Sequence, residues 1–223
     1  MKHSAFFAIL LIVPFFPTYA QEIQSNTSLH LETVEVPFSA FNVVGRDAMI
    51  FNLEREHATN WQVTIENKIM YANPNGNAVL RLYEDLSSEK FIEIGMGSPP
   101  DLKFWVAVQH PETGYVVIHD RIKDGWKPGK VIIAAHSNNA GLSVNNGERI
   151  VVSNLDVDDF TIKAFSAYGM ESSADPPAAI SGSVVLDFVS GNPADNPLYY
   201  FPIFLIGGIV TLVIVLLKTK KRA

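Results

Sequence analysis

Apolar and polar residues alternate one by one in several stretches of this chain, and this alternation limits the possible folds more than any other feature of the sequence. The side chains of a β-strand point to opposite faces in turn, so each stretch is typical of a strand with one buried face and one wet face. The stretches, with the residues predicted to face the core, are 61–66 (Trp61, Val63, Ile65), 102–109 (Leu102, Phe104, Val106, Val108), 160–165 (Phe160, Ile162, Ala164) and 184–188 (Val184, Leu186, Phe188).

Turn-forming residues separate these stretches, and Asn146-Gly147 is the clearest case. Alternating residues flank it on both sides, at 142–145 and at 150–152. Asn-Gly in this setting predicts a two-residue type I′ hairpin, because that turn needs positive φ at both central residues. No long run of helical periodicity stands out between residues 21 and 189. The pattern therefore predicts an all-β domain of about ten to twelve short antiparallel strands, in a sandwich or a barrel.

The first twenty residues have the pattern of a secretory signal peptide. A weakly basic start precedes an apolar run at residues 5–16, and Thr18-Tyr19-Ala20 offers small residues before a cleavage point. A short N-terminal membrane helix is the alternative, but the run is short for a full span and contains Pro14. We expect cleavage after Ala20 and export of the residues that follow.

The C-terminal end has the pattern of a membrane anchor. Residues 198–217 form an uncharged stretch of 20 residues, enough helix to cross ~30 Å of hydrocarbon, and the tail at 218–223 adds four cations that should stay cytoplasmic. A GPI signal and a buried core helix are the alternatives, although a GPI signal ends in its apolar tail. We expect a single-pass protein of the cell membrane with an extracellular sandwich, a short linker at 190–197 and a cytoplasmic C-terminus. Gly207 and Thr211 have the small-xxx-small spacing of a helix-pairing face.

Charge and cysteine content exclude several classes of function. Residues 21–197 hold all 23 acidic residues of the chain and 17 − 5 = 12 of the basic ones, which gives a net charge of 12 − 23 = −11. Such an acidic surface repels phosphate backbones, so nucleic acid is not an expected partner. The absence of cysteine excludes thiolate nucleophiles, thiol redox chemistry and blue-copper sites. A cysteine-free surface protein with a single anchor is typical of prokaryotes.

Four short motifs occur in a fixed order between residues 60 and 189. They are the W-x-V-x-I stretch at Trp61, Asp124-Gly125-Trp126 leading into a strand at 131–135, GLSVNNGERI at 141–150, and ISGSVVLDFV at 180–189. Their order resembles the concanavalin A-like, or laminin G-like, jelly-roll β-sandwich. The resemblance implies an antiparallel jelly-roll β-sandwich. The laminarinase-like enzymes of that family carry a Glu-x-Asp-x-x-Glu strand, which this chain lacks, so the resemblance does not extend to hydrolysis.

Two tryptophans are candidate ligand-binding residues. Trp105 occupies a position on the polar side of its strand, and Trp126 lies in the turn sequence KDGWKPG. Flat aromatic faces bind sugar rings well, because the C–H groups of a pyranose pack on the π-face. The alternative is that both side chains cover the second sheet or a loop.

Three aspartates in the sequence NLDVDDF, Asp156, Asp158 and Asp159, are candidate ligands for Ca²⁺. Loop carboxylates suit this hard cation, although further ligands and the glycine of an EF-type loop are missing. The alternative is a solvated turn between strands ending at Val152 and starting at Phe160. Glu32 and Glu35 have the wrong spacing for one strand face, and Glu54 and Glu56 share a face but lie among other charges beside a turn, so neither pair is expected to act as a glycosidase pair.

The remaining signal is the sequon Asn26-Thr27-Ser28, which predicts glycosylation of Asn26 if the host modifies exported asparagines. Taken together, the sequence predicts a membrane-anchored, non-catalytic binding or adhesion module that recognises a glycan or a surface protein, with no cofactor other than a possible Ca²⁺. The alternative is an accessory subunit of a membrane protein complex, paired through the anchor helix. A carbohydrate-active enzyme is a distant third, because no nucleophile–base or paired-carboxylate motif is present.

Overall fold

The computed structural model describes residues 29–46, 49–53, 59–86, 90–122 and 125–191, together with residues 208, 209 and 211. The predicted signal peptide, Asn26, the linker from 192 onward, Gly207, the basic tail and most of the 198–217 stretch lie outside these residues. The chain divides into a compact unit, Leu29–Asn192, and a second unit formed by Met1–Ser28 and Pro193–Ala223. In the second unit Gly208, Ile209 and Thr211 are helical. Within the described ranges, no helix has the length and apolar character needed to cross a membrane.

The compact unit is all-β, and the fourteen strands among its described residues pair in an antiparallel manner. The first sheet contains, in spatial order, β1 (Leu29–Pro37), β14 (Ser183–Ser190), β3 (Trp61–Asn67), β9 (Ile132–Ser137), β10 (Gly141–Asn145) and β11 (Ile150–Leu155). The second sheet contains β2 (Ile50–Asn52), β12 (Ala164–Tyr168), β5 (Asn77–Asp85), β6 (Lys90–Gly97), β7 (Phe104–His110) and β8 (Gly114–Arg121). A small third sheet pairs β4 (Met70–Tyr71) with β13 (Ala179–Ser181), and a 3-10 helix spans Phe38–Asn42.

One hydrophobic core lies between the two large sheets, as the alternation predicted. Trp61, Val63 and Ile65 are fully buried while their neighbours along β3 are half-buried. The predicted inward residues of β7 and β14 are buried in the same cluster. The indole nitrogen of Trp61 donates to the carbonyl of Phe160 at 2.8 Å, so its polar atom is satisfied inside the core. The prediction of an antiparallel all-β fold is thus confirmed.

The strand predicted at 160–165 is displaced along the chain. Phe160 and Ile162 are buried, as expected, but they precede the strand, which begins at Ala164. Within β12 it is Phe165 and Ala167 that join the core, while Ala164 packs with Tyr83 and Phe91. The face that points inward therefore changes between residues 162 and 165, because an irregular segment comes between them and breaks the period of two.

The hairpin around Asn146-Gly147 is present, but its turn differs from the prediction. β10 and β11 pair in an antiparallel manner across a four-residue loop, and only Gly147 of the two central residues has positive φ, at 94°. The side chain of Asn146 explains the longer loop. Its Oδ1 accepts from the backbone N–H groups of Glu148 and Arg149, and its amide donates to the carbonyl of Gly125. The loop is thus closed by the backbone N–H of Asn146, which donates to the Arg149 carbonyl at 3.1 Å, together with the Asn146 side chain, and not by a type I′ turn.

Candidate functional site

The outer face of the second sheet, turned away from the core, carries three aligned rows of side chains. Residues directly opposite each other on antiparallel strands point to the same side of the sheet, so the pairing register defines these rows. The middle row is Ser166, Arg81, Glu93, Ala107 and Val117; one flanking row is Tyr168, Val79, Gly95, Trp105 and Asp120; the other is Ala164, Tyr83, Phe91, Gln109 and Tyr115. Five strands thus bring one cation, two carboxylates and several aromatic rings onto one surface.

Glu93 is the centre of this face, and each of its two carboxylate oxygens accepts two hydrogen bonds. Oε2 accepts from Nε of Arg81 at 2.8 Å and from the hydroxyl of Tyr168 at 3.1 Å. Oε1 accepts from Nε1 of Trp105 at 3.0 Å and from the hydroxyl of Tyr115 at 2.8 Å. The side chain is buried, with 2% of the residue exposed. A buried carboxylate with four donors is fully satisfied and holds each donor in place.

The charges of this network are held in their ionised forms. Burial by itself would raise the pKa of Glu93, but hydrogen bonds from Trp105, Arg81 and Tyr115 and the charge of Arg81 hold that pKa below its ordinary value of 4.5. Burial would lower the pKa of Arg81, yet the hydrogen bond and charge of Glu93 raise it. Burial and the Glu93 carboxylate together raise the pKa of Tyr115 and of Tyr168, so both phenols remain hydrogen-bond donors.

Arg81 also packs between aromatic rings. Its guanidinium carbon lies 4.3 Å from the centroid of the Phe91 ring and 5.3 Å from that of Tyr168. Tyr83 contacts Phe91 edge-on, with centroids 5.5 Å apart, and its hydroxyl lies 3.2 Å from that of Ser166. The cation–π contacts and the ion pair together fill the β12–β5–β6 part of the face, where these side chains are buried. This part of the face supports its neighbours and offers little surface of its own.

The accessible part of the face lies on β7 and β8, at Trp105 and Tyr115. The indole of Trp105 covers Gly95, where an added Cβ would lie 1.9 Å from Cε2 of the ring, so the absence of a side chain lets the ring lie against the sheet. Trp105 is half-buried, and Tyr115 is 43% exposed. Their donor atoms bind the same oxygen of Glu93, so the two atoms are at most 3.0 + 2.8 = 5.8 Å apart. The two side chains therefore converge on one carboxylate oxygen, and we call the surface they form the Trp105–Tyr115 patch.

The position of Trp126 does not fit its predicted role as a surface for stacking. The residue is 3% exposed and belongs to the hydrophobic core. Its Nε1 donates to the carbonyl of Gly97 at 2.8 Å, and its ring lies 6.3 Å from that of Tyr71. The turn sequence around Trp126 suggested exposure, but the indole turns inward and fills the end of the sandwich. Of the two tryptophan candidates, the structure places Trp105 alone at the surface.

The three candidate calcium ligands lie in an exposed loop beside an open pocket of about 570 Å³. The wall opposite is the 137–141 turn, which follows β9. Asp156 accepts a hydrogen bond from the backbone N–H of Asp158, and Asp158 Oδ2 lies 3.2 Å from Nε2 of His110. In the part of the chain that the structure describes, no three His, Asp or Glu side chains are grouped in a way that could hold a metal ion. The calcium site stays a prediction.

The sequence is not matched by any family model or by any curated protein. Solved structures with distant similarity include a carbohydrate binding module, CBM66, from Bacillus subtilis (10% identity, 64% of this chain and 78% of that one, TM-score 0.39). A galectin of Caenorhabditis elegans (9%, 74% and 95%, TM-score 0.34) and a GH43 protein of Bacillus licheniformis (9%, 59% and 26%, TM-score 0.35) are similarly distant. The chain thus spans about a quarter of the GH43 protein. Similarities this remote carry no information about ligand or activity.

The sequence analysis missed Glu93, Arg81, Tyr115 and Tyr168, although two of them had a signal. Arg81 stands between Leu80 and Leu82, and Glu93 stands between Ile92 and Ile94. Each charge alternates with apolar residues, which places it on the outer face of its strand, and opposite signs in two strands would allow a cross-strand ion pair. The pairing of the two strands could not be read from the sequence, so neither could the ion pair.

Proposed function

We propose that the sandwich is a non-catalytic glycan-binding module of the concanavalin A-like jelly-roll type, and that it binds its ligand on the Trp105–Tyr115 patch. One observation carries the proposal: two partly accessible aromatic rings on an outer sheet face are fixed by hydrogen bonds to a single buried carboxylate. Rings that are already oriented lose little conformational freedom when a ligand binds. Flat rings beside hydrogen-bonding groups suit a sugar, whose C–H face stacks while its hydroxyls bind polar atoms.

The buried ion pair beneath the patch supports a binding role. Taking Arg81 and Glu93 out of water is costly, and apolar residues of similar volume would often stabilise a protein as well or better. A network of this kind is therefore a weak source of stability, but it orients its members strongly. Its members here include both rings of the patch, so we infer that the network serves to orient them.

The same geometry argues against hydrolysis at this face. Glycosidases use two carboxyl groups, about 5 Å apart in retaining enzymes and about 6.5–9.5 Å apart in inverting ones. Both carboxylate oxygens of Glu93 already accept hydrogen bonds from side chains of this protein. A carboxylate in this state is not available as a nucleophile or as a general acid.

Binding is tested by screening the full-length chain in mild detergent against a panel of polysaccharides, with a parallel assay for released sugar. Trp105→Ala should weaken binding to any polysaccharide found by about 1–2 kcal/mol, or roughly five- to thirtyfold, through lost stacking area. Met70→Ala is the matched control, because Met70 is an exposed apolar residue of β4 outside the second sheet. Failure to bind any member of the panel would contradict the proposal, and release of sugar would contradict its non-catalytic part.

We further propose that the module is exported and anchored, with residues 1–20 as a cleaved signal peptide and 198–217 as a transmembrane helix. The support is the uncharged 20-residue stretch followed by four cations. Protease added to intact cells should digest the sandwich and leave the tail protected. Protection of the whole sandwich would contradict this orientation.

A protein partner is the second candidate function, and strand β8 favours it. This strand lies at the edge of the second sheet, and Tyr115, Val116, Val117 and Ile118 within it are 38% to 48% exposed. An apolar edge strand is a natural place for another chain to add a strand. Fixed partners recovered from mild detergent, and lost with Val117→Lys, would favour an accessory subunit. Recovery of the same partners with Val117→Lys would exclude β8 as their binding site.

A further inference from the structure

The charged side chains around the Trp105–Tyr115 patch are arranged in pairs of opposite sign. Lys103 lies 3.1 Å from the Asp120 carboxylate, and its Nζ is 5.4 Å from the Trp105 ring centroid. Beyond the buried Arg81–Glu93 pair, Arg46 lies over the Tyr168 ring and 2.7 Å from Glu171. Each of these three cations already has a carboxylate of the chain within ion-pair distance. The face therefore carries charges but little net charge.

Resting on the proposed glycan-binding function, we propose that the ligand of the Trp105–Tyr115 patch is an uncharged oligosaccharide of more than one ring, lying along strands β7 and β8. The ion pairs just described indicate that the sugar is uncharged. The register of the second sheet, which sets the layout of the patch, indicates the length and direction of the sugar.

An acidic glycan would meet two obstacles at this face. Its carboxylate or sulfate groups would have to displace Asp120 from Lys103, or Glu171 from Arg46, to reach either of these two cations. They would also approach a segment with a net charge of 12 − 23 = −11 over residues 21–197, which repels anions at long range. An uncharged sugar meets neither obstacle, since its hydroxyls accept from Lys103 and donate to Asp120 without separating the pair.

The patch is longer than it is wide. Trp105 and Gln109 are four residues apart on β7, and Tyr115 stands opposite Gln109 on β8, so the two rings begin about 13 Å apart along the strands. From these positions they extend toward each other and meet at Glu93. The half-buried amide of Gln109 lies at one end of the patch and Asp120 at the other. A ligand that contacts both rings and both polar ends must extend along the strands, as an oligosaccharide does.

The experiment uses the full-length chain and a polysaccharide that binds in the screen above, prepared as an uncharged hydroxyethyl derivative and as a carboxymethyl derivative. The uncharged form should bind at least as tightly as the anionic form, with little change between about 0.05 and about 0.5 M salt. Affinity should rise from the monosaccharide to the tetrasaccharide of the same sugar. Preference for the anionic form with strong salt dependence would overturn the inference and leave glycan binding intact. Absence of any binding would instead count against the proposed function itself.

A charge-neutralising variant gives an independent test. Asp120→Asn removes the partner of Lys103, so affinity for the carboxymethyl derivative should rise about two- to fivefold while affinity for the hydroxyethyl derivative falls or stays constant. Glu148→Gln is the matched control: Glu148 lies in the β10–β11 hairpin of the other sheet, and its loss frees Lys127, whose Nζ is 3.1 Å from the Glu148 carboxylate. An equal gain in both variants would show a general effect of net charge and contradict the inference. No gain with Asp120→Asn would also contradict it.

Discussion

The two sheets have the same number of strands but outer faces of different construction. On the first sheet, β3 shows a simple alternation in which every second residue is half-buried, and its ion pair between Glu66 and Lys68 is about half exposed. On the second sheet, every residue of β6 is buried, including the outward-facing Glu93. One outer face is simply wetted by solvent, and the other is filled by a polar and aromatic network. Both sheets cover the same core, so covering the core does not by itself require the network on the second face.

The substitution expected to have the largest effect on stability is Glu93→Ala, which tests the difference between the two outer faces. The substitution leaves the Arg81 guanidinium buried without its carboxylate, which should lower the free energy of unfolding by about 3–5 kcal/mol. Chemical denaturation of the full chain in detergent measures the change. The double variant Arg81→Met/Glu93→Gln removes both charges and should cost clearly less than Glu93→Ala, since no buried charge is left unpaired. A double variant that is as unstable as the single one would mean that packing, and not charge, dominates at this site.

The sequence predicted the core of both sheets better than it predicted the second outer face. Trp61, Val63 and Ile65 were identified from alternation alone, because burial on one face is a local property of a strand. The Glu93 network combines residues from β5, β6, β7, β8 and β12, so it depends on strand order and register, which local patterns do not contain. Trp105 was identified because its outward position follows from alternation. Trp126 was misplaced because a turn sequence does not define the direction of its side chain.

Gly95→Ala should have the next largest effect, and it probes the contact that sets Trp105 against the sheet. The new Cβ would lie 1.9 Å from Cε2 of the indole, so the ring must move away from Glu93. We expect a loss of about 1–3 kcal/mol in unfolding free energy and weaker binding to any polysaccharide ligand. In a Trp105→Ala background the same change should cost much less, because the clash is gone. Equal costs in both backgrounds, measured as a double-mutant cycle, would place the strain elsewhere.

A smaller effect on stability is expected from a change of pH, because the buried carboxylate of the second face, Glu93, is protonated at low pH. The pKa of Glu93 is lower in the folded chain than its ordinary value of 4.5, so the ionised carboxylate contributes stability that is complete above pH 4.5 and is lost as the pH falls through the lower folded pKa. Wild-type protein should therefore lose stability below pH 4.5 more steeply than Glu93→Gln. Denaturation midpoints recorded across this range provide the comparison. Parallel curves would mean that Glu93 does not titrate differently in the folded and unfolded states.

The smallest effect is expected on the first sheet, from Asp187→Ala. Asp187 accepts hydrogen bonds from His30 at 2.7 Å and from Thr33 at 2.9 Å, so its local geometry resembles that of a small network. Its side chain is 36% exposed, however, and that of His30 is 59% exposed, so water replaces the lost contacts and screens the charges. The unfolding free energy should change by at most about 1 kcal/mol, and polysaccharide binding should not change. A loss as large as that of Glu93→Ala would contradict the distinction between the two faces, since an exposed network would then be as strongly coupled to the fold as a buried one.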